Sequence, residues 1–540
     1  MKRFLVQIGA LALLYLLWTS TALAHGEILP REFGLTEGDI IRAASVNDPD
    51  VYIVNPLGYK RLVLNPTIFS FYGHFRWLAI KSIQVGVRDA FPTSTLVRNC
   101  ENNDSKVYAV EVTEEDKALL HWVNLPAEDA VAQDDDFFKK VFCINAKEFA
   151  WYAQSTSYGS IASIPSYERS KLPPPGVNDT SIPLNVPSGF KISVFASSLG
   201  PVRFMAVSPD GLLFASMPAS VGLYGVGAKT DGKIFVLPDS NNDGKADEAR
   251  AVLTGLTLPH GLAFFNNYLY VAQETTVVRY PYIGNGVLGA RETIISGLPG
   301  GSGHASRTIG FSPAGKMYVS LGSSCNACEE TNSYRAAILE YNPDGTGGRV
   351  FANGLRNSVG FVFNPSSGEI WATDNGRDHL DDDLPPDEIN IVRDGGNYGW
   401  PYCYGKNIHD TDFDKNIYIA IYPPLPCSDK EPSLLNLQAH SAALGLRFIT
   451  SPQFPASYQG NVLVAYHGSI DRTEPVGYKV ALLRVEGNSI LGEEDFISGW
   501  LRADGTKLGR PVDLIFGNDN ALYISDDKAN IIYRVSNINL

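Results

Sequence analysis

One short template recurs along the last two-thirds of the chain and constrains its fold more than any other feature. It consists of an apolar alternation, a turn carrying Pro or Gly, and a second apolar run that ends in small residues. The copies cover residues 204–216, 261–272, 309–320, 360–372, 445–448 with 461–465, and 512–525. A hairpin of this kind cannot bury its apolar face alone, so repeated hairpins pack radially into a propeller. The repeat therefore predicts an all-β fold, a six-bladed β-propeller over 190–540. The 50 glycines, 33 prolines and frequent aromatics around short apolar runs point the same way. Uneven spacing predicts long loops, above all near 376–445, and loops gathered on one face of a rigid ring are where binding chemistry sits.

The residues before the propeller read differently. Lys2 and Arg3, the apolar run from Phe4 to Trp18 and Ala22-Leu23-Ala24 before His25 predict a signal peptide over 1–24 and an exported chain, periplasmic, extracellular or at the cell surface. Residues 25–165 echo themselves. Ile41-Arg42 precedes Val51-Tyr52-Ile53-Val54 by the interval that separates Val97-Arg98 from Val107-Tyr108-Ala109-Val110, and each copy continues into a charged turn and an apolar run. This predicts a small duplicated α+β region. With Asn65-Pro66-Thr67-Ile68-Phe69, it resembles short repeats of bacterial cell-envelope proteins, which implies envelope association at most. A Pro-rich linker over 166–189 joins the two parts.

A formal charge of −14 and the lack of a basic patch exclude a nucleic-acid partner. The six cysteines suit an oxidising compartment, and proximity along the chain suggests Cys100–Cys143, Cys325–Cys328 and Cys403–Cys427. The Cys325-Asn-Ala-Cys328 spacing also suits a redox or metal site, but no second such pair accompanies it.

Chemistry-bearing residues cluster where the repeats begin. Arg356-Asn357 enters the fourth copy, His304 precedes the third in a glycine-rich setting, His260 enters the second and Arg510 the sixth. Equivalent positions on successive blades converge on the central axis. Arginine offers a rigid fork to carboxylates, the turn after Trp371 offers backbone oxygens to a hard cation, and a histidine there can act as a general base. The set suits a flat, acidic, metal-chelating cofactor.

Three motifs make this specific: Gly303-His304 through Tyr318, Gly354-Leu-Arg-Asn-Ser-Val-Gly360, and Asp387-Glu-Ile-Asn through Trp400-Pro401. Over 190–535 the chain resembles the soluble quinoprotein sugar dehydrogenases, which are six-bladed propellers using pyrroloquinoline quinone (PQQ) and Ca²⁺. Residues around 322–329 and 467–480 resemble the aldose and pyranose dehydrogenase branch. The resemblance implies oxidation of an aldose or related alcohol by hydride transfer to PQQ, with His304 as base and Arg356 polarising the quinone oxygen. It implies Asn357, Arg510, Arg472 and Lys479 as cofactor contacts, with His467 and His260 where the family carries a lysine and a glutamine. The carbonyls of Gly376 and Arg377 would hold Ca²⁺, and Glu388 and Tyr398 a second, structural Ca²⁺. Ser323 stands where the glucose enzymes carry the carboxylate partner of the histidine. No haem-attachment motif is present, so electrons would leave to an external acceptor.

Asp239, Asn241, Asp243 and Asp247 resemble the first half of an EF-hand loop, with Arg250 where the bidentate glutamate belongs. A structural Ca²⁺ and an Asx-rich turn fit this loop equally. Two other readings stay open: a Ca²⁺-dependent propeller lactonase, and a non-catalytic binding propeller at the cell surface.

Overall fold

The computed structural model describes residues 29–44, 50–76, 79–102, 104–114, 117–169, 176–222, 229–415 and 426–538. The expected signal peptide and residues 170–175 of the expected linker lie outside them. The chain divides into two compact units, Met1–Pro173 and Pro174–Leu540. All three proximity pairs are disulfide-bonded.

The N-terminal unit runs twice through the same succession of three strands, a helix, a strand and a helix. In the first copy Ile40–Ala43 pairs antiparallel with Val51–Val54 and parallel with Lys81–Ile83. In the second, Leu96–Asn99 pairs antiparallel with Tyr108–Glu114 and parallel with Phe142–Ile144. The copies share one apolar core and a buried ion pair, Arg61–Glu148 at 2.6 Å, and Tyr72 and Tyr152 also donate to that glutamate. A charge in an apolar core is tolerable only when it is paired and hydrogen-bonded in this way.

The second unit is built of antiparallel sheets, apart from the edge strand Val177–Asp179, which runs parallel to Phe190–Ser197. Among the described residues, six sheets of four or five strands follow one another along the chain. Their first strands in chain order are Met205–Val207, Leu262–Phe265, Arg307–Phe311, Phe361–Phe363, Ala443–Phe448 and Pro511–Phe516. One residue from each, Met205, Leu262, Ile309, Phe361, Leu446 and Asp513, lines a common cavity of about 410 Å³. The sixth sheet joins the two ends of the unit, since Phe190–Ser197 pairs with Ile531–Asn537.

Each sheet is buried on both faces, so its side chains alternate between two neighbours. In Leu213–Met217 of the first sheet, Leu213, Ala215 and Met217 pack toward Tyr523 and Ile532 of the sixth, and Phe214 packs toward Leu269 and Val271 of the second. Further apolar clusters join the second sheet to the third, the third to the fourth, the fourth to the fifth and the fifth to the sixth.

The small residues that end each template have a polar task. Ser216, Thr373 and Ser525 are each the penultimate residue of a second strand. Each hydroxyl donates to a carbonyl at the start of the next sheet, namely His260 O at 2.7 Å, Leu444 O at 2.8 Å and Arg203 O at 2.5 Å. Thr308 does the same from a first strand, to Val359 O. Glycine opens several first strands because the sheets nearly touch there. A Cβ on Gly360 would stand 2.0 Å from Leu444 O, and one on Gly261 2.6 Å from Ile309 N.

Gly360→Ala should therefore cost about 3 kcal/mol by overpacking against immobile backbone. Ser525→Ala should cost about 1–3 kcal/mol by leaving a buried carbonyl unpaired. Urea titration reads both, and stability within 0.5 kcal/mol of wild type for both would refute this account of the sheet contacts.

Candidate active site

The segments that precede the first strands meet in a cavity of about 330 Å³. Its wall includes Arg203, His304, the adjacent Arg356 and Asn357, His467 and Arg510, drawn from five turns or strand ends, and Gly376 also lines it. Three guanidinium groups and, with His440, three imidazoles thus line one space.

Buried carboxylates hold the turns that carry these groups. Asp374 accepts from the amides of Arg356 at 2.9 Å and Asn357 at 2.6 Å. Asp526 accepts from the amide of Arg510 at 2.8 Å. Both acids are the last residue of a second strand and directly follow its hydroxyl residue, so one short motif, Thr373-Asp374 or Ser525-Asp526, links a sheet to its neighbour and shapes the turn above it. The guanidinium of Arg356 is fixed by backbone oxygens: Nε donates to Asn326 O at 2.9 Å and Nη1 to Gly376 O at 2.8 Å. Arg510 donates from Nε to His467 O at 2.9 Å and from Nη2 to Gly468 O.

His304 Nδ1 lies 3.1 Å from both Ser323 O and Ser323 Oγ. A carbonyl can only accept, so Nδ1 carries the proton and Nε2 keeps its lone pair. Burial and then the charge of Arg356 drive the pKa of His304 down to about 3, so the ring is neutral over the physiological range. Ser323 thus fixes the tautomer, as a carboxylate partner would, but supplies no negative charge to raise basicity.

The imidazole that does have a carboxylate partner is His467. Its Nε2 lies 2.8 Å from Asp527 Oδ1, and Arg203 Nη1 donates to Asp527 Oδ2 at 2.6 Å. Burial alone would raise Asp527, but His467 and Arg203 outweigh it and hold this carboxyl well below the usual range. His467 is held neutral, mainly by burial, with a pKa of about 4.

Several expected site residues lie elsewhere. His260 is fully buried behind the wall, where its Nε2 accepts from Arg203 Nε at 3.4 Å, so it supports Arg203 and does not face the cavity. Arg472 ties the 381–383 loop, donating to Asp382 O and to Asp383 at 2.8 Å. Lys479 pairs with Asp495 at 2.7 Å and Glu493 at 3.3 Å, so neither cation lines the cavity. The side chain of Arg377 turns to Asp410 at 3.0 Å and Asp412 at 2.6 Å. Arg377, Glu388 and Tyr398 line a separate cavity of about 20 Å³, shared with Gly376. There the Tyr398 hydroxyl donates to Ile391 O at 2.6 Å, and Glu388 accepts from Asn390 and the Gly405 amide, so internal bonds take up the oxygens expected to ligate a structural cation. Asp239, Asn241 and Asp243 spend their oxygens on amides of their own loop, and Asp247 accepts from Ser240 N, which is the Asx-turn alternative.

The cavity's donor set suits an anionic, planar ligand. Arg203 pairs with Asp527 at 2.6 Å and Arg356 lies 3.4 Å from Asp378, while Arg510 is oriented by the carbonyls of His467 and Gly468. For a cation the donors differ from those expected. Gly376 O is shared with Arg356, and Asp378, His440 and Asp471, whose ligand atoms lie within 4.8 Å of one another, line the same cavity. Sequence reasoning missed Arg203, Asp527, His440 and Asp471. Arg203 alone had a signal, since it directly precedes the first copy of the repeat as Arg510 precedes the sixth.

Comparison with known proteins adds the family. A family model described as TrAA12-like matches residues 184–537. An uncharacterised protein of Borreliella burgdorferi is 31% identical over 369 residues, covering 65% of this chain and 90% of that protein. A pyrroloquinoline quinone-dependent sugar dehydrogenase of Hypocrea jecorina is 27% identical over 312 residues, 49% of this chain and 70% of that protein. The PQQ domain of pyranose dehydrogenase from Coprinopsis cinerea superposes with a TM-score of 0.54 at 20% identity, covering 67% of this chain and all of that domain. A calcium structure of a Trichoderma reesei family AA12 enzyme gives 0.55 at 21%, with 67% of this chain and all of that chain covered. At these identities the superpositions speak for the fold. The chain belongs to the TrAA12-like family.

Placing a negative charge beside His304 should raise its pKa. In Ser323→Asp the His304 ring should titrate at least one unit higher than in wild type, read by NMR of labelled histidine. An unmoved titration would mean that Ser323 does not set the electrostatics of this ring.

Proposed function

We propose that this chain is a PQQ- and Ca²⁺-dependent sugar dehydrogenase, exported from the cell, whose six sheets form a six-bladed propeller. It oxidises an aldose or a related alcohol and passes electrons to an external acceptor. The observation that carries this reading is the convergence of Arg203, Arg356 and Arg510 with an oriented, neutral His304 on one cavity. The family match and the names of the relatives support the same chemistry.

When bound, the quinone supplies a two-electron acceptor for the hydride that leaves the substrate carbon. The protein's residues do the rest. His304 Nε2 takes the proton from the substrate hydroxyl, and Ser323 keeps the other ring nitrogen protonated so that Nε2 is always the basic one. The guanidinium of Arg356, already fixed by Asn326 and Gly376, offers positive charge where negative charge develops and needs no reorganisation to do so. Arg203 and Arg510 meet ligand carboxylates, and Asn357 adds a hydrogen bond. Neutralising these cations with an anionic ligand also relieves the suppression of His304 by Arg356, so the base strengthens once the site is loaded. Gly376 O with Asp378 and Asp471 would hold Ca²⁺.

The test is reconstitution of the full chain with PQQ and Ca²⁺, followed by dye reduction with a panel of aldoses and pyranoses. Tight PQQ binding and sugar-dependent turnover are expected. His304→Ala should lower kcat by at least about 10²-fold while PQQ still binds. No PQQ binding by wild type would sink the reading, and wild-type turnover in His304→Ala would remove His304 as the base.

A further inference from the structure

The short loop closed by the Cys325–Cys328 disulfide grips Arg356 through Asn326 and is hydrogen-bonded to Ser323, the partner of His304. We propose that this loop is a positioning device that sets His304 and Arg356 together, through Ser323 and Asn326. The functional weight of these two side chains rests on the reading above; the positioning does not.

The connections run through few atoms. On one side, His304 Nδ1 donates to Ser323, and Ser323 Oγ donates onward to Cys325 O at 2.6 Å. The Ser323 amide donates to Arg356 O at 2.8 Å, so the same residue is anchored to the arginine's own backbone. On the other side, Asn326 lies between the two cysteines and grips the guanidinium twice. Its carbonyl accepts from Nε at 2.9 Å and its Oδ1 accepts from Nη2 at 2.8 Å. The Asn326 amide group is itself locked against the next turn: Oδ1 also accepts from Asp378 N at 2.8 Å and Nδ2 donates to Asp378 O at 2.9 Å. Ser324, just before the loop, donates from its amide and hydroxyl to Glu330, just after it. The entry to His304 is moulded on the loop as well, since Gly303 has φ +73° and a Cβ there would stand 2.3 Å from Ser323 O.

The disulfide gives this arrangement its stiffness. An Asn in an open loop has two soft backbone dihedrals and two side-chain torsions to fix before it can hold an arginine. Closing Cys325 to Cys328 across a Cα–Cα distance of 6.2 Å confines the two residues between them, so Asn326 O and Oδ1 keep their aim without that cost being met by the arginine contact. Preorganised supports of this kind hold functional groups within the tolerance that chemistry requires. The residue pair Ser323 and Asn326 thus acts through His304 and Arg356 and touches no reacting atom.

The experiment uses the full chain with ¹⁵N-labelled arginine and histidine, first without cofactor. In wild type the Arg356 Nε–H should exchange slowly and His304 should show a single Nδ1-protonated tautomer. In Cys325→Ser/Cys328→Ser, and in Asn326→Ala, Arg356 exchange should accelerate at least tenfold. The double variant should also give a mixed His304 tautomer. Asn326→Asp keeps the acceptor oxygen, so it should retain slow exchange, a rescue that a merely structural role for Asn326 would not give. Cys100→Ser/Cys143→Ser, the same change in the other unit, should leave both signals unmoved. In the loaded protein, Asn326→Ala should weaken PQQ binding about tenfold and lower kcat more than it changes KM. Wild-type exchange and tautomer in both loop variants overturn the proposal, as does an equal change in the Cys100/Cys143 control. If the cysteine variant fails to fold, the Asn326 pair decides. If wild type binds no quinone, the functional reading falls, and the exchange and tautomer measurements still decide the positioning.

Discussion

The contact on which the rest of this structure depends is a side-chain hydroxyl of one sheet donating to a backbone carbonyl at the start of the next. Ser216, Thr373 and Ser525 make it from the same place in three sheets, and Ser525 makes it from the sixth sheet back to Arg203 at the start of the first. Apolar packing between sheets supplies most of the driving force but is non-directional and tolerates sliding. A hydrogen bond to a buried carbonyl does not tolerate it, because the unpaired carbonyl would bear its full desolvation cost. The bond fixes how far one sheet lies along its neighbour, and the glycines at Gly261 and Gly360 let the strands come close enough to form it. Because Arg203, His260 and Leu444 are themselves the acceptors, the same bonds that register the sheets set the height of the cavity wall.

The cavity built on that frame separates charge in an unusual way. Arg203, Arg356 and Arg510 bring fixed positive charge, and His304 and His467 are kept neutral by burial and by those same arginines. The one strongly ionised acid close behind the wall, Asp527, is spent on His467 and Arg203. Most guanidinium donors are satisfied by carbonyls, which orient them without cancelling their charge. Asp378, Asp387 and Asp471 also line the cavity, so the wall presents fixed positive charge, carboxylates and a neutral proton acceptor together. Ser323, at the place where the resemblance implies a carboxylate, preserves the orientation of His304 and supplies no charge.

How much of this was legible follows from the range of each signal. The sheet repeat was legible because burial on two faces imposes a period on the sequence, and the duplicated strand order of the N-terminal unit left the same kind of trace. Arg356, Asn357, His304 and Arg510 were legible because each directly precedes a recognisable strand, so position along the chain stood in for position in space. The rule failed at His260, which occupies an entrance like the others but points behind Arg203. It also failed for Arg472 and Lys479, where a positive charge beside a motif was read as a cofactor contact and the acids Asp383 and Asp495 claim it instead. Asp239 and its neighbours show the limit of spacing rules: the pattern that wraps a cation also makes Asx turns, and only the direction of each carboxylate distinguishes them.

The sequence by itself determined the all-β character of the second unit, the place where each sheet begins, the neighbours of the disulfides and the identity of the groups at the strand entrances. These follow from local chemistry, namely side-chain period, turn residues and residue type. The tertiary structure alone decided which entrances share a cavity, that Asp527 serves His467 while His304 has only Ser323, and that Asn326 grips Arg356 from inside a disulfide loop. Those pairings join residues 19, 30 and 60 positions apart. Their partners are chosen by how the sheets register on one another, and no local pattern in the chain encodes that register.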